Sequence, residues 1–530
     1  MHHIVASAMK YRKTITIFII IILSYAFLHV MTKLPDRNDA EVSSMISDGQ
    51  ETSLGREFKP QLEQHPGKSG VILLGNGRDA FVGRAVLARL AEKSIDVQYY
   101  MFHQDTVGRL LIREFIAAAD RGVRVRMLID DMYGEEADDV WSALAMHPNM
   151  EVRLYNPFSR GYSKNLQFIT QAKRVNHRMH SKTYTVDNQA SIVGGRNIGD
   201  EYFDANKDVA FSDLDAMSIG TVVPEVSIEF DQYWNNRHSY PIGSLLEGVN
   251  KVAEAGSLDN LRKELDNFYL KPQTLAYRDA VEHSSFANAL RNKTAAFSYS
   301  EARIIHDSVE KMTKADDNWK EELLISQLAP YIQQAKEEYV LVSPYFVPGK
   351  RGADAICKLS EEGVRVRILT NSLASNDVAA VHTGYMRHRK KLLRCGVELY
   401  ELNEQLKKVE GKLFTWLPGL SKSSLHAKTM AMDKKTMFVG SFNFDPRSLN
   451  INTEIGIVFH DPEIAVNSSK HFDGYINKVA FRVELIDDSL RWTGVDESGK
   501  KVVFDVEPYT GFWKRLSVNL MRILPVDSML

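Results

Sequence analysis

His180-Ser181-Lys182-Thr183-Tyr184-Thr185-Val186-Asp187 is repeated in kind, 246 residues further on, by His426-Ala427-Lys428-Thr429-Met430-Ala431-Met432-Asp433. Gly194-Gly195-Arg196-Asn197 follows the first copy and Gly440-Ser441-Phe442-Asn443 the second, and Asp208 and Glu454 close the two series, all at that same shift. A histidine and a lysine two residues apart on a strand share a face, because strand side chains alternate with a period of two. In both copies, imidazole and ammonium therefore point into one space. Six matched positions at a single offset mark a duplicated unit.

Outward from this motif the duplication continues. Ala119–Leu128 (ADRGVRVRML) resembles Ser360–Leu369 (SEEGVRVRIL), each a helical pattern that runs through glycine into strand residues. Val152-Arg153-Leu154-Tyr155 pairs with Val397-Glu398-Leu399-Tyr400, and Ile95–Phe102 with Tyr339–Val347. Strands alternating with helices of about a dozen residues predict an α/β fold. Each half is expected to form a mixed, mostly parallel sheet flanked by helices, the halves related by a pseudo-twofold. The expected divisions are 1–31, a membrane anchor; 32–69, a tether; 70–260, the first domain; 261–325, a connecting helical segment; 326–485, the second domain; and 486–530, a C-terminal extension.

Breaking a phosphodiester requires a nucleophile on phosphorus, an acid for the departing oxygen, and positive charge on the non-bridging oxygens. Two facing His-x-Lys pairs supply all three: one imidazole attacks, the other protonates the leaving alcohol and then deprotonates the acceptor, and Lys182 and Lys428 hold the phosphoryl oxygens. An ammonium beside each histidine opposes a divalent cation, so no metal and no cofactor is expected. Asn197, Asn443 and Ser441 are candidate donors to the same oxygens, and Asp208 and Glu454 candidate partners for the imidazole Nδ1–H groups. Asp187 and Asp433 are counted with the motif, although an acid at a strand end is commonly a turn residue.

Two copies of HxK(x4)D(x6)G(G/S)xN resemble the phospholipase D superfamily. Ile192–Phe203, Ser343–Lys350 and Gly440–Ser448 resemble its bacterial cardiolipin synthase branch, most nearly the C-type members, and the similarity runs from about residue 70 to the C-terminus. The resemblance implies two tandem phospholipase D-like domains and a phosphatidyltransferase working through a phosphohistidine. It implies nucleophile and acid/base roles for His180 and His426, with His180 the nucleophile by family habit, phosphate binding for Lys182 and Lys428, and structural support near the site for Asp187 and Asp433. The implied substrates are phospholipids: phosphatidylglycerol, with phosphatidylethanolamine a candidate second. A phospholipase D that gives the same intermediate to water is the alternative. The chain departs from other cardiolipin synthases in having one N-terminal apolar segment where they have a tandem pair. A requirement for a partner protein is left open.

With 66 Lys+Arg against 68 Asp+Glu, the net charge of -2 offers no general drive toward nucleic acid, which counts against an endonuclease built on the same motif. Thr14–Met31 lacks Asp, Glu, Lys and Arg and is just long enough to cross a bilayer. Lys10, Arg12 and Lys13 precede it and residues 32–51 are acidic, so the positive-inside rule leaves the N-terminus cytoplasmic and the catalytic part on the other side of a bacterial inner membrane. A cleaved signal peptide and a buried core helix are the competing readings of this segment. Cys357 and Cys395 read as two buried thiols, with a single bridge between them left open. Leu413–Leu420 is a candidate acyl-chain contact, and Phe512–Leu524 a candidate amphipathic helix on anionic lipid, against the alternative of a core-docked terminal helix.

Overall fold

The computed structural model describes residues 2–37, 40–134, 137–206, 211–247, 253–292, 294–312, 320–376, 379–405 and 424–522, with residues 2–10 described as helical backbone only. Asp208 and the Leu413–Leu420 segment lie outside the described residues.

The duplication is visible strand by strand. In the first half the sheet runs Ser69–Leu74, Asp215–Gly220, Ala190–Gly194, Thr183–Val186, Ser94–Tyr99, Arg124–Asp130, Met150–Tyr155 and Ser239–Pro241. The second runs Ile455–His460, Thr436–Gly440, Thr429–Met432, Glu338–Val342, Arg365–Thr370, Glu398–Leu402, Ala480–Ile486, Ser489–Val495 and Lys501–Phe504. Both sheets are mixed, but parallel pairing is confined to the three central strands of each half, Ser94–Tyr99 to Met150–Tyr155 and Glu338–Val342 to Glu398–Leu402. The expected predominance of parallel pairs is thus corrected. The motif strands return through tight hairpins, which join neighbours antiparallel, while only the helix-connected strands run parallel.

The helix, glycine, strand reading holds in both halves. Helix Thr106–Asp120 starts on an Asp105 cap that accepts from the Gly108 N–H and stops at Gly122, whose φ of +94° lies in the left-handed region that favours glycine. Helix Gly349–Glu361 stops in the same way at Gly363. Two features of the segment between the halves differ from expectation. Besides helices Ser257–Tyr269, Leu275–His283 and Ser285–Arg291, it contributes the strand Ser298–His306. That strand pairs with Ser69–Val71 of the first sheet through its beginning and with Ile455–His460 of the second through its remainder, so one strand edges both sheets.

Helix His2–Met31 carries a 21-residue apolar stretch, Tyr11–Met31, none of which is buried against the rest of the protein. This opposes the core-helix reading and suits a membrane anchor. The following residues are not a free tether. Residues 41–46 lie as a strap on the first domain: Arg153 donates to the Glu41 carbonyl, Arg126 to that of Ser43, Arg124 to that of Ser44, and Asn188 to that of Ile46. The Ser43 and Met45 N–H groups donate to Asn235 and Asp231. A polar, aperiodic sequence signals only that the segment lacks an apolar face; here its backbone is satisfied by side chains of the domain. Residues 53–64 then form a helix capped by Thr52. At the membrane end, Thr32 Oγ1 is 2.9 Å from Thr170 Oγ1 and Gln171 donates to the His29 carbonyl at 2.9 Å, which fixes the anchor to the first domain.

Cys357 and Cys395 form a disulfide, in place of the expected free thiols. Helix Gly349–Glu361 and the end of helix Ala379–Arg394 bring the two Cα atoms to 5.4 Å, a proximity that a spacing of 38 residues does not disclose. Maleimide should therefore label neither cysteine in the unfolded, unreduced chain and both after reduction. Replacing both with serine should cost about 2–4 kcal/mol of stability in denaturant titration. Full labelling without reductant would contradict the bridge.

Candidate functional site

The motif strands run antiparallel to the first strand of each parallel set, with Thr183 opposite Gln98 and Thr429 opposite Val342. His180 and His426 therefore emerge beyond the C-terminal ends of the parallel strands, where α/β sheets gather ligands. The stretches leading into the two histidines then cross to the other half. The His180 N–H donates to the Thr453 carbonyl and the His426 N–H to that of Ser212, each at 2.8 Å. The side chains follow: His180 Nδ1 lies 2.8 Å from Glu454 Oε2, and His426 Nδ1 lies 2.6 Å from Asp213 Oδ2. Each imidazole is thus held by a carboxylate of the opposite half, and the exchange is reciprocal, as a twofold requires. With Nδ1–H committed to a carboxylate, the Nε2 lone pair of each ring is the one left for chemistry.

Burial governs the electrostatics. His180, Lys182, His426 and Lys428 are 7%, 1%, 9% and 1% exposed. Burial, reinforced by Lys182, Lys428 and Arg447, drives His180 well below its ordinary value. Burial and Lys428, only partly opposed by Asp213, bring His426 down to about 4. Burial also brings Lys182 down to about 7, against the attraction of Glu454. Both lysines act on both imidazoles, so the halves share one pocket. The two carboxylates differ. Burial raises Glu454 to about 7 despite Lys182 and hydrogen bonds from Ser441 and Ser448. For Asp213, burial is outweighed by His426, Lys428 and Arg196, which hold it at about 2.

A family described as "Cardiolipin synthase, PLD-like domain" matches residues 87–234 and again 328–476. Cardiolipin synthase C of Escherichia coli K12 is 41% identical over 473 residues, covering 89% of this chain and 98% of its own. The chain belongs to the cardiolipin synthase branch of the phospholipase D family. A more distant member, the cardiolipin synthase of Oceanobacillus iheyensis, is 23% identical over 77% of this chain and 69% of its own. Among solved structures, a phosphatidylserine synthase from Haemophilus influenzae shares the fold, with a TM-score of 0.54 at 13% identity over 90% of this chain and 98% of its own.

Within this phospholipase D fold the remaining candidates separate. Asp187 and Asp433 lie at the far ends of the motif strands, about 16 Å along the chain from the lysines. Asp187 accepts from the N–H groups of Glu92, Lys93 and Ser94, and Asp433 from those of Lys336, Glu337 and Glu338. Each also takes a positive φ, 51° and 52°, with Asn188 and Lys434 beside it at 52° and 55°, in a tight hairpin turn between paired Val186 and Ala190 and between paired Met432 and Thr436. Their inclusion in the catalytic set is corrected: they tie the hairpin to the entry of the neighbouring strand.

The Asn197 amide is also committed, donating to Tyr202 Oη at 3.0 Å and accepting from the Met101 N–H at 3.3 Å. Ser441 donates to Glu454 at 2.5 Å and accepts from the Ile455 N–H. Both are supports here, in place of the substrate contacts expected of them. Asn443 differs, being 5% exposed with an Oδ1 that has no hydrogen-bond partner among the described residues.

The sequence reading placed Glu454 correctly beside an imidazole but chose Asp208 as its counterpart, and Asp213 occupies that place. Asp213 lies sixteen residues past Asn197, whereas Glu454 lies eleven past Asn443, so the first copy carries a loop five residues longer. Aligning the strands that follow, with Gly194 opposite Asp215 and Gly440 opposite Gly456, recovers the pair. Gly195, which stands where the second half has Ser441, leaves room for Asp213: a Cβ there would lie 2.2 Å from its Oδ1. Sequence reasoning also missed the aromatic walls, with Tyr100 at 4.9 Å from the His180 ring and Tyr202 and Phe211 at 5.1 and 5.3 Å from His426. All three come from the first half.

Asp213→Asn should lower kcat at least about 100-fold with the fold intact, since it removes the charge that orients and supports the imidazole. Asp187→Ala should do the reverse, costing about 1–3 kcal/mol of stability with kcat little changed. Steady-state kinetics and thermal unfolding on both variants check the pair, and wild-type kcat for Asp213→Asn would contradict the assignment.

Proposed function

We propose that this protein is a phosphatidyltransferase of the cardiolipin synthase type, passing a phosphatidyl group from one phospholipid to the hydroxyl of another. The observation that carries the reading is the reciprocal pairing of each buried imidazole with a carboxylate of the opposite half. In the first step His180 Nε2 attacks phosphorus, an N–P bond forms, the P–O bond to the headgroup alcohol breaks, and His426 gives that oxygen its proton. In the second, His426 takes the proton of the acceptor hydroxyl, whose oxygen attacks phosphorus while the N–P bond breaks. Lys182 and Lys428 offset the anionic charge that both steps build on the phosphoryl oxygens.

The carboxylates support this division of labour. Asp213 stays ionised and partly offsets the burial and the Lys428 charge that lower His426, so it helps that ring hold the proton it must give as an acid. Glu454, raised to about 7, gives His180 less such support and leaves it the neutral nucleophile. Transfer is favoured over hydrolysis by the site itself: with both histidines more than nine-tenths buried and aromatic rings beside them, bulk water has little access to the intermediate. The protein is membrane-anchored, and two observations support a non-cytoplasmic site: the basic residues preceding the apolar helix, and the Cys357–Cys395 bridge, which persists in oxidising compartments.

Purified protein in vesicles containing labelled phosphatidylglycerol, with and without phosphatidylethanolamine, should yield cardiolipin together with glycerol or ethanolamine. Phosphatidic acid as the sole labelled product would replace this reading by a hydrolase. His180→Ala and His426→Ala should each abolish turnover and keep the wild-type melting temperature, and EDTA should leave the wild-type rate unchanged.

A further inference from the structure

The C-terminal helix Phe512–Met521 is amphipathic in an unusual sense, because its apolar face points away from the protein. Phe512, Trp513, Leu516 and Leu520 are 62%, 77%, 36% and 58% exposed. At 100° per residue these four occupy an arc of about 100°. Val518, the helix's buried residue, lies opposite the centre of that arc. The helix is nonetheless fixed in place, with Lys514 reaching the Ala374 carbonyl and Arg387 the Arg522 carbonyl. No acidic residue occurs from Pro508 to Arg522, whereas Lys514, Arg515 and Arg522 are basic.

Its position gives the exposed face a meaning. The loop after strand Arg365–Thr370 forms part of the site's rim, since Asn371 both donates to the Leu425 carbonyl and accepts from the Leu425 N–H, next to His426. Its counterpart in the first half follows strand Arg124–Asp130, where Tyr133 stacks edge-on against Tyr100 and Tyr100 against His180. The offset of 241 between these strands sets Tyr133 opposite Ala374. Lys514 holds the Ala374 carbonyl in one half, and Lys164 holds the Met132 carbonyl in the other. Lys164 begins the short helix Lys164–Thr170, and Thr170 and Gln171 at its end grip Thr32 and His29 of the membrane helix. The membrane helix and the C-terminal helix therefore reach equivalent rim loops of the two halves. A twofold passing between the histidines exchanges those rims without moving either along the axis, so both face the same way.

We infer that the C-terminal helix lies in the surface of the bilayer that the N-terminal helix crosses, apolar arc inward and basic residues toward anionic headgroups, so that the active-site mouth is held against lipid from both halves. Four large apolar side chains together with three bases fit interfacial burial of about 5–10 Å on an anionic surface. The membrane is the occupant favoured over a second copy of the chain because the anchor already brings the bilayer to the matching rim.

The full chain in bilayer discs whose acyl chains carry bromine tests this through Trp513, whose emission is obtained as the difference between wild type and Trp513→Phe. Brominated discs containing anionic lipid should lower the Trp513 contribution by about half or more. The paired variant Leu516→Ser/Leu520→Ser should largely remove that quenching while the melting temperature stays unchanged. A Trp513 contribution identical in brominated and unbrominated discs would overturn the inference. So would shielding of Trp513 that tracks protein concentration rather than lipid, which would mark the face as a contact between copies. No turnover is read, so either result leaves the proposed reaction standing on its own evidence.

Discussion

Each half of this protein carries a histidine that it cannot orient by itself. Glu454 serves His180 and Asp213 serves His426, and the backbone hydrogen bonds to Thr453 and Ser212 make the same exchange at the residue just before each carboxylate. A buried imidazole whose Nδ1 lacks an acceptor has no fixed tautomer, and without that its Nε2 cannot serve as nucleophile or acid. The closure of the halves on one another is thus a condition for the chemistry. Much of the fold serves that closure: one strand, Ser298–His306, edges both sheets, and Arg447 reaches across to Asn176.

The symmetry is of frame and not of electrostatics. One carboxylate sits near 7 and its counterpart near 2, although both are fully enclosed, because Asp213 is the closer neighbour of His426, Lys428 and Arg196. Among the described residues, the aromatic rings against both imidazoles, Tyr100, Tyr202 and Phe211, come from the first half, a further difference between the two sides of the site. Two equivalent histidines can divide into nucleophile and acid when their surroundings differ in this way, and a duplicated gene supplies the freedom to diverge. The same asymmetry extends to the ends of the chain, where the first half holds the apolar N-terminal helix and the second carries a C-terminal helix with an exposed apolar face.

Much of this was legible in the residues alone. The register of 246 announced both the duplication and the identity of His180, Lys182, His426 and Lys428, because a strand's period of two makes spacing equivalent to direction. Glu454 was legible for the same reason. Asp213 was hidden by a five-residue difference in loop length, which breaks the constant offset just where the chain crosses between halves. Asp187 and Asp433 share the motif's conserved spacing within the chain yet work at the opposite strand ends, since spacing fixes the face of a residue and not its height along the strand. The disulfide and the strap at residues 41–46 depend on side chains remote in sequence, among them Arg126 and Arg153, and no local pattern encodes such partners.

The central claim is that both imidazoles act on one phosphorus atom, in sequence. It is tested most directly by a single-turnover reaction of the His426→Ala variant with a phosphatidyl donor whose leaving group is nitrophenolate, which departs without an acid. The mixture is quenched in alkali, because the N–P bond is acid-labile, and the peptides are weighed by mass spectrometry. The account predicts a burst of nitrophenolate matched by one phosphatidyl group per chain on the peptide bearing His180. A matching burst that leaves His180 unmodified, in a protein whose wild type transfers the phosphatidyl group, would contradict it.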